Sequence, residues 1–184
     1  SGRRLPPAAR HHDPTKATRK VVTMSPNHAP APTVARATDV APRAQRSHYP
    51  EPFASRLQGR TKRPLGDHFG LRNFGVNLTT LAPGAVSALR HAHTRQDEFI
   101  YVLSGRVRLE CDAGVWELAS GMCAGFVAGT GNAHRLVNPG PEEATYLEVG
   151  DRTPGDVVAY PDDDLVARLV NGRWTFFRKD GRPY

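Results

Sequence analysis

The sequence predicts an all-β protein, a sandwich or barrel of the jelly-roll type behind a disordered N-terminal tail. Three observations carry that expectation. Between residues 71 and 150, short runs of β-favouring residues are separated by turn chemistry at nearly every junction. No segment of this stretch shows a helical period. Gly 17 and Pro 16 together are high for a helical protein and suit many short strands joined by tight turns. About eight strands in so short a span imply a closed or two-layered sheet.

Residues 1–48 are mostly Ala, Pro, Arg, Thr and His without hydrophobic periodicity. Such a segment cannot bury enough apolar surface to offset chain entropy, so a disordered tail is expected. The chain does not open on Met, and the run Met24-Ser25-Pro26-Asn27 is expected to mark the natural start. Residues 49–70 form a polar, irregular arm. The barrel is expected over 71–150. Its strands are 74–81 (FGVNLTTL) ending at Pro83-Gly84, then 86–93, then 98–103 ending at Ser104-Gly105. A hairpin comes next, 107–111 and 115–118 around Asp112-Ala113-Gly114. Segments 126–128, 133–137 and 145–149 complete the set, each ending at a turn signal such as Gly129-Thr130-Gly131-Asn132 or Asn138-Pro139-Gly140-Pro141. Residues 151–184 are a C-terminal extension expected to pack on the barrel, with a helix around 163–170. In that helix Asp162, Asp163 and Asp164 would form the N-terminal turn.

Charge distribution decides what the basic composition means. Residues 1–48 hold nine Lys or Arg against two acids, which accounts for the whole net charge of +7. Residues 49–184 carry 16 basic and 16 acidic side chains. The folded part is therefore neutral, and the tail lacks the interleaved aromatics of a nucleic-acid arm, so no nucleic-acid partner is expected. No apolar stretch approaches the length of a membrane span, so no membrane partner is expected either, and a cytoplasmic protein is the default. Cys111 and Cys123 cannot form a disulfide framework and are expected to be small buried hydrophobes.

Chemistry concentrates on four residues. His91 and His93 lie two apart on a strand and so point to one face. Glu98 opens the next strand and shares parity with Ile100 and Val102, which turns its carboxylate inward. His134 heads a later strand, after a glycine-rich turn expected to let the backbone approach closely. Three imidazoles and one carboxylate suit a single divalent transition metal ion per chain, Fe, Mn, Ni, Co or Zn, and are too nitrogen-rich for Ca or Mg. Two coordination positions would stay open on an octahedral ion, as a catalytic site needs. An HxH pair alone is often no more than two surface histidines; the added glutamate and third histidine make the pattern specific.

These residues resemble the two motifs of the cupin family. Gly84, His91, His93, Glu98 and Gly105 resemble the first, with Gly84 displaced by one position. Gly121, Gly131, His134 and Asn138 resemble the second, with Val127 where proline is usual and Met122 where an acid commonly stands. The segments 128–134, Tyr146-Leu147-Glu148-Val149-Gly150 and Tyr160-Pro161-Asp162 are similar to small bacterial single-domain cupins. The resemblance implies a cupin barrel, His91, His93, Glu98 and His134 as metal ligands, and by analogy a homodimer.

No separate catalytic acid or base can be named from the sequence, and no organic cofactor is indicated. Tyr101 lies on the strand face opposite Glu98, as do Arg90 and Arg135 relative to the histidines. Asn138 shares parity with His134 but stands where a turn begins. Trp116, Trp174, Phe176 and Phe177 are expected at barrel ends or a subunit contact. Two functions are compatible with this pattern. One is an enzyme in which the metal, inside an apolar barrel, acts on a small oxygenated metabolite by dioxygenase, isomerase or lyase chemistry. The other is a non-catalytic barrel that binds or senses a small molecule in a regulatory role.

Overall fold

Alternating burial shapes the strands. In the computed structural model, which describes Gly2, residues 32–44 and residues 47–184, they run in the order β1 (Arg60–Arg63), β2 (Phe74–Leu81), β3 (Ala92–His93), β4 (Glu98–Ser104), β5 (Arg106–Cys111) and β6 (Gly114–Ala119). Then come β7 (Cys123–Phe126), β8 (His134–Val137), β9 (Ala144–Asp151), β10 (Val157–Tyr160), β11 (Leu165–Val170) and β12 (Arg173–Phe177). A four-residue helix, α1 (Leu65–His68), separates β1 from β2. No helix among the described residues is long and apolar enough to cross a membrane.

Two layers result. One is a five-stranded sheet in the order β1-β2-β9-β4-β7. The other combines the three-stranded sheet β6-β5-β8 with the four-stranded sheet β12-β11-β10-β3. Bridges from Val86 to Val137 and from His91 to His134 stitch those two sheets together. Between the layers lie Leu81, Ile100, Val102, Val107, Leu136 and Tyr146, all buried. Each such aliphatic side chain contributes about 1.5–3 kcal/mol on burial. A second cluster, with Phe53, Leu89, Val158, Tyr160 and Leu165 at its centre, joins β10 and β11 to the chain ahead of β1.

The structure corrects several expectations. The helix around 163–170 is a strand, β11: Leu165 and Ala167 are buried against β10 while Val166 and Arg168 are less so, a period of two. Asp162 and Asp163 do not start a helix but hold Arg90 and Arg56 at 2.6 and 2.5 Å in the turn between β10 and β11. The strand expected over 86–93 is regular only at Ala92–His93, and the one expected at 126–128 lies earlier, at Cys123–Phe126. The arm at 49–70, expected to be irregular, contains β1 and α1. Cys123 is exposed and Cys111 only half-buried.

Of the tail expected over 1–48, residues 1, 3–31 (Met24 included), 45 and 46 lie outside the described residues. Further along, Val40 is 5 % exposed and its carbonyl accepts from Arg63 Nη1 at 2.7 Å. Arg43 N–H donates to the Lys62 carbonyl at 2.9 Å.

Two glycine turns and one buried asparagine fix the ends of the strands that carry Glu98 and His134. Gly105 closes β4 at φ +75°, where a Cβ would come within 2.6 Å of the Glu143 carbonyl oxygen. Gly131 precedes β8 at φ +73° with nothing within 4 Å of a Cβ, so it serves the turn and not a close approach. Asn138 is fully buried at the end of β8. Its Nδ2 donates to the Leu81 and Glu142 carbonyls, and its Oδ1 accepts from Gly140 N–H.

Candidate metal centre

The three histidines come from one layer and the carboxylate from the other. His91 and His134 exchange backbone hydrogen bonds at 3.0 and 2.8 Å, which sets their rings 4.7 Å apart. His93, two residues on, presents its ring to the same side, 5.2 Å from that of His91. Glu98 reaches across from β4, where it lies opposite Gly150 of β9. Its Oε2 stands 2.9 Å from His134 Nε2, 3.4 Å from His91 Nε2 and 3.7 Å from His93 Nε2. The ligand atoms of His91, Glu98 and His134 all lie within 4.8 Å of one another. His93 joins them through its approach to Glu98 but is not part of that mutual group.

Each imidazole but one is held from behind. His91 Nδ1–H donates to the Leu89 carbonyl at 2.8 Å, and His93 Nδ1–H donates to Asp156 Oδ2 at 2.5 Å. With that proton on Nδ1, both Nε2 lone pairs face Glu98, as coordination requires. Asp156 is itself fixed: its Oδ1 accepts from Thr94 N–H, Arg95 N–H and the Thr94 hydroxyl at 2.9, 2.8 and 3.1 Å. His134 differs. Phe126 stacks on its ring at 3.5 Å with the planes 3° apart, and its buried Nδ1 has no hydrogen-bond partner among the described residues.

Burial is the largest influence on all three perturbed groups, and it opposes charge. For Glu98 it is outweighed by hydrogen bonds from His134 and His91 and by the charges of His91 and His93, so the carboxyl is held well below its usual range. Burial would lower His91, but the hydrogen bond and charge of Glu98 raise it overall. His134 stays lowered, since burial and the neighbouring His91 and His93 exceed the help from Glu98. The neighbouring imidazoles therefore favour the ionised form of Glu98. An ionised carboxylate faced by three imidazole nitrogens is a donor set for a borderline divalent transition metal.

The cluster opens into a cavity of about 660 Å³. Part of its wall is aromatic: Tyr160 lies over His91 at 6.0 Å and Trp174 meets His93 edge-on at 6.1 Å. Tyr49 packs against Tyr160 at 5.6 Å. Burial pushes the Tyr49 hydroxyl up to about 12 and that of Tyr160 well above its usual value, so both are protonated donors at neutral pH. The interior is not wholly apolar, contrary to expectation. Lys62 Nζ donates to Glu148 Oε1 at 2.7 Å inside it, and Arg60 and Asn77 line it as well.

Several residues that shape this site carry no signal at the sequence level. Asp156 lies 63 positions from the histidine it holds. Tyr49 and Lys62 lie in the arm expected to be irregular, and Trp174 was expected only at a barrel end or subunit contact. Tyr101 is exposed, in agreement with its strand parity. Arg90 and Arg135 point away from the cavity and pair with Asp112 and Asp162, and with Glu110.

A family model described as Cupin domain matches residues 77–150. Among solved structures, a sugar phosphate isomerase of the cupin superfamily from Silicibacter pomeroyi is 41% identical, covering 80% of this chain and 93% of that one, with a TM-score of 0.76. A putative sugar phosphate isomerase from Acidithiobacillus ferrooxidans is 33% identical over 68% of this chain and 80% of its own, with a TM-score of 0.62. The polyketide cyclase RemF from Streptomyces resistomycificus shares the fold alone, at 22% identity over 64% of this chain and 78% of its own and a TM-score of 0.53. A comparison with curated protein sequences finds no match.

Proposed function

The chain belongs to the cupin superfamily, and from that premise we propose that it is a metal-dependent isomerase acting on a small phosphorylated sugar. His91, His93, Glu98 and His134 hold one divalent transition metal ion, Fe, Mn, Ni, Co or Zn. The observation that carries this reading is the convergence of three Nε2 atoms on one Glu98 oxygen, at 2.9, 3.4 and 3.7 Å, beside a cavity large enough for a metabolite. The two similar sugar phosphate isomerases supply the substrate class.

A metal bound there supplies Lewis acidity toward a carbonyl or hydroxyl oxygen. Around it the chain orients the ligating rings and shields the substrate. Leu89 and Asp156 fix the tautomers of His91 and His93. The hydroxyls of Tyr49 and Tyr160 hydrogen-bond each other, which leaves one O–H of the pair for a substrate oxygen, and Trp174 and Phe176 exclude water. The protein works in the cytoplasm as a homodimer, with a small molecule and neither nucleic acid nor membrane as its partner. Phe99, Tyr101 and Leu103, about 40 % exposed on the outer face of β4, give a second copy an apolar surface.

The test is to load the protein with one equivalent of Mn²⁺ or Zn²⁺ and incubate it with aldose and ketose phosphates in deuterated water. Interconversion, or deuterium at the carbon next to the carbonyl, is expected. Neither product nor exchange at full metal occupancy overturns the isomerase. A second reading, the non-catalytic binding module, is favoured by the commitment of Glu148 to Lys62 and Asn77, which leaves it no role as a base. Tight binding without turnover would establish it.

A further inference from the structure

β1 carries side chains into the barrel that a buried strand does not ordinarily hold. Arg60 and Lys62 are two residues apart and share a face. Their register opposite Leu81 and Thr79, both fully buried, aims that face inward. Residue 43 lies alongside, through the hydrogen bond from its N–H to the Lys62 carbonyl at 2.9 Å. Arg43, His48, Arg60 and Lys62 all line the cavity that holds the three imidazoles.

Of this cluster, Arg60 Nη1 donates to the Ser87 carbonyl, while Lys62 and Arg43 meet acids that are shared with other groups. Glu148 accepts from Lys62 Nζ at 2.7 Å and from Asn77 Nδ2 at 3.2 Å. The other contacts of Arg43 are long, to Asn77 Oδ1 at 3.4 Å and to Asp67 at 3.6 Å, and Asp67 is shared with Arg152. His48 registers the nearby cations as well as its own burial. Burial first, and then the charges of Arg43, Arg60 and Lys62, lower its pKa and keep its ring neutral at neutral pH.

We propose that Arg43, Arg60, Lys62 and His48 form an anion subsite for the phosphate of the substrate, so that residues ahead of the barrel take part in ligand recognition. This rests on the phosphorylated-sugar reading and deepens it by naming the groups that select for phosphate. A phosphate monoester carries between one and two negative charges near pH 7. Guanidinium groups hold such an anion through paired N–H donors, and Lys62 meets it as a point charge. The anion draws Arg43 off its long contact with Asp67. A cavity of about 660 Å³ gives room for the phosphate on this cluster and the sugar against the histidines.

The test uses inorganic phosphate as the probe and the full chain, by calorimetric titration of chelator-treated protein and then of protein reloaded with Zn²⁺. Phosphate binds the metal-free protein, and Arg43→Gln weakens that binding about tenfold or more, since a charged hydrogen bond of this kind is lost. Arg43→Lys weakens it less. Metal uptake by the variants matches that of the unmodified chain. Lys62→Gln serves as the second variant if Arg43→Gln does not fold. Phosphate that binds only after metal loading, or that binds Arg43→Gln as well as the unmodified chain, overturns the proposal. The isomerase reading fails separately: an Arg43-dependent phosphate site in a protein without turnover keeps the subsite and removes the reaction.

Discussion

Asp156→Asn changes one atom of a carboxylate whose side chain is completely buried, and it separates the stability of the barrel from the readiness of the centre. Oδ1 can remain an oxygen and keep its bonds from Thr94 N–H, Arg95 N–H and the Thr94 hydroxyl. Those bonds lose their ionic partner, and charge-assisted bonds are about twice as strong as neutral ones. Three such losses amount to roughly 1.5–3 kcal/mol, or a fall in Tm of about 3–12 °C for a domain of this size. The other atom becomes an amide NH₂ facing His93 Nδ1, which already carries a proton. To accept from the amide, the imidazole must move its proton to Nε2, and that occupies the lone pair aimed at Glu98. Metal affinity should therefore fall about 10–100-fold, the usual cost of losing the group behind a ligating histidine. Asp156→Ala leaves four donors without their acceptor, at up to about 1–3 kcal/mol for each that stays out of water, and should destabilise the fold further. The assay is competition for Zn²⁺ against a chromophoric chelator, beside thermal melts of the chelated proteins. An Asp156→Asn variant that melts lower but holds Zn²⁺ as tightly as the unmodified chain would refute the reasoning, because His93 would then not be a ligand set by Asp156.

Three further outcomes are expected. Because Glu98 and the histidines come from opposite layers, metal at about 100 times its Kd should stabilise the fold by about 2.7 kcal/mol. This is a rise in Tm of about 5–11 °C; melts that coincide with and without metal, or a rise that survives Glu98→Gln, would count against the assigned ligands. The Arg90 guanidinium holds Asp162 below the usual carboxylate range. The folded pKa is depressed, so this pair contributes stability above the unfolded value of about 3.9 and loses it as pH falls through the folded one. Arg90→Ala should lower Tm by about 2 °C at pH 7, a small effect for a half-exposed pair, and the gap should close below pH ~3; a gap that widens in acid contradicts the sign. Light scattering should report a dimer for the unmodified chain and a monomer for Phe99→Asp combined with Tyr101→Asp, with metal content unchanged; a monomeric unmodified chain removes the dimer.

What local spacing can place, it places well. The run FGVNLTTL is β2 residue for residue, and the two-residue step from His91 to His93 puts both rings on the side that Glu98 approaches. Parity within one strand needs no knowledge of the partner strand. Where partners decide, the same reasoning fails. Leu165–Val170 has a mixed pattern that a helix and a strand both satisfy, and only its register beside β10 and β12 makes Leu165 and Ala167 the buried pair. Asp156 comes after Pro154 and Gly155, a setting that reads as an ordinary turn; its four acceptor contacts appear only when the chain between β9 and β10 returns to His93 and Thr94.

The basic residues near the start of the fold are the sharpest instance. Arg60-Thr61-Lys62-Arg63 has no apolar residue, and composition assigns such a run to a solvated surface. Its antiparallel register against Leu81, Thr80, Thr79 and Leu78 instead turns alternate side chains into the cavity. Charge carried inward costs desolvation, which Glu148 offsets for Lys62, the Ser87 carbonyl lessens for Arg60, and a bound anion would offset further. The net charge of +7 lies wholly in residues 1–48, which suggests a neutral barrel with an idle basic tail. The position of Arg43 against Lys62, with His48 beside them, places the end of that tail in the cavity wall, and counting charge by segment separates groups which the fold brings together.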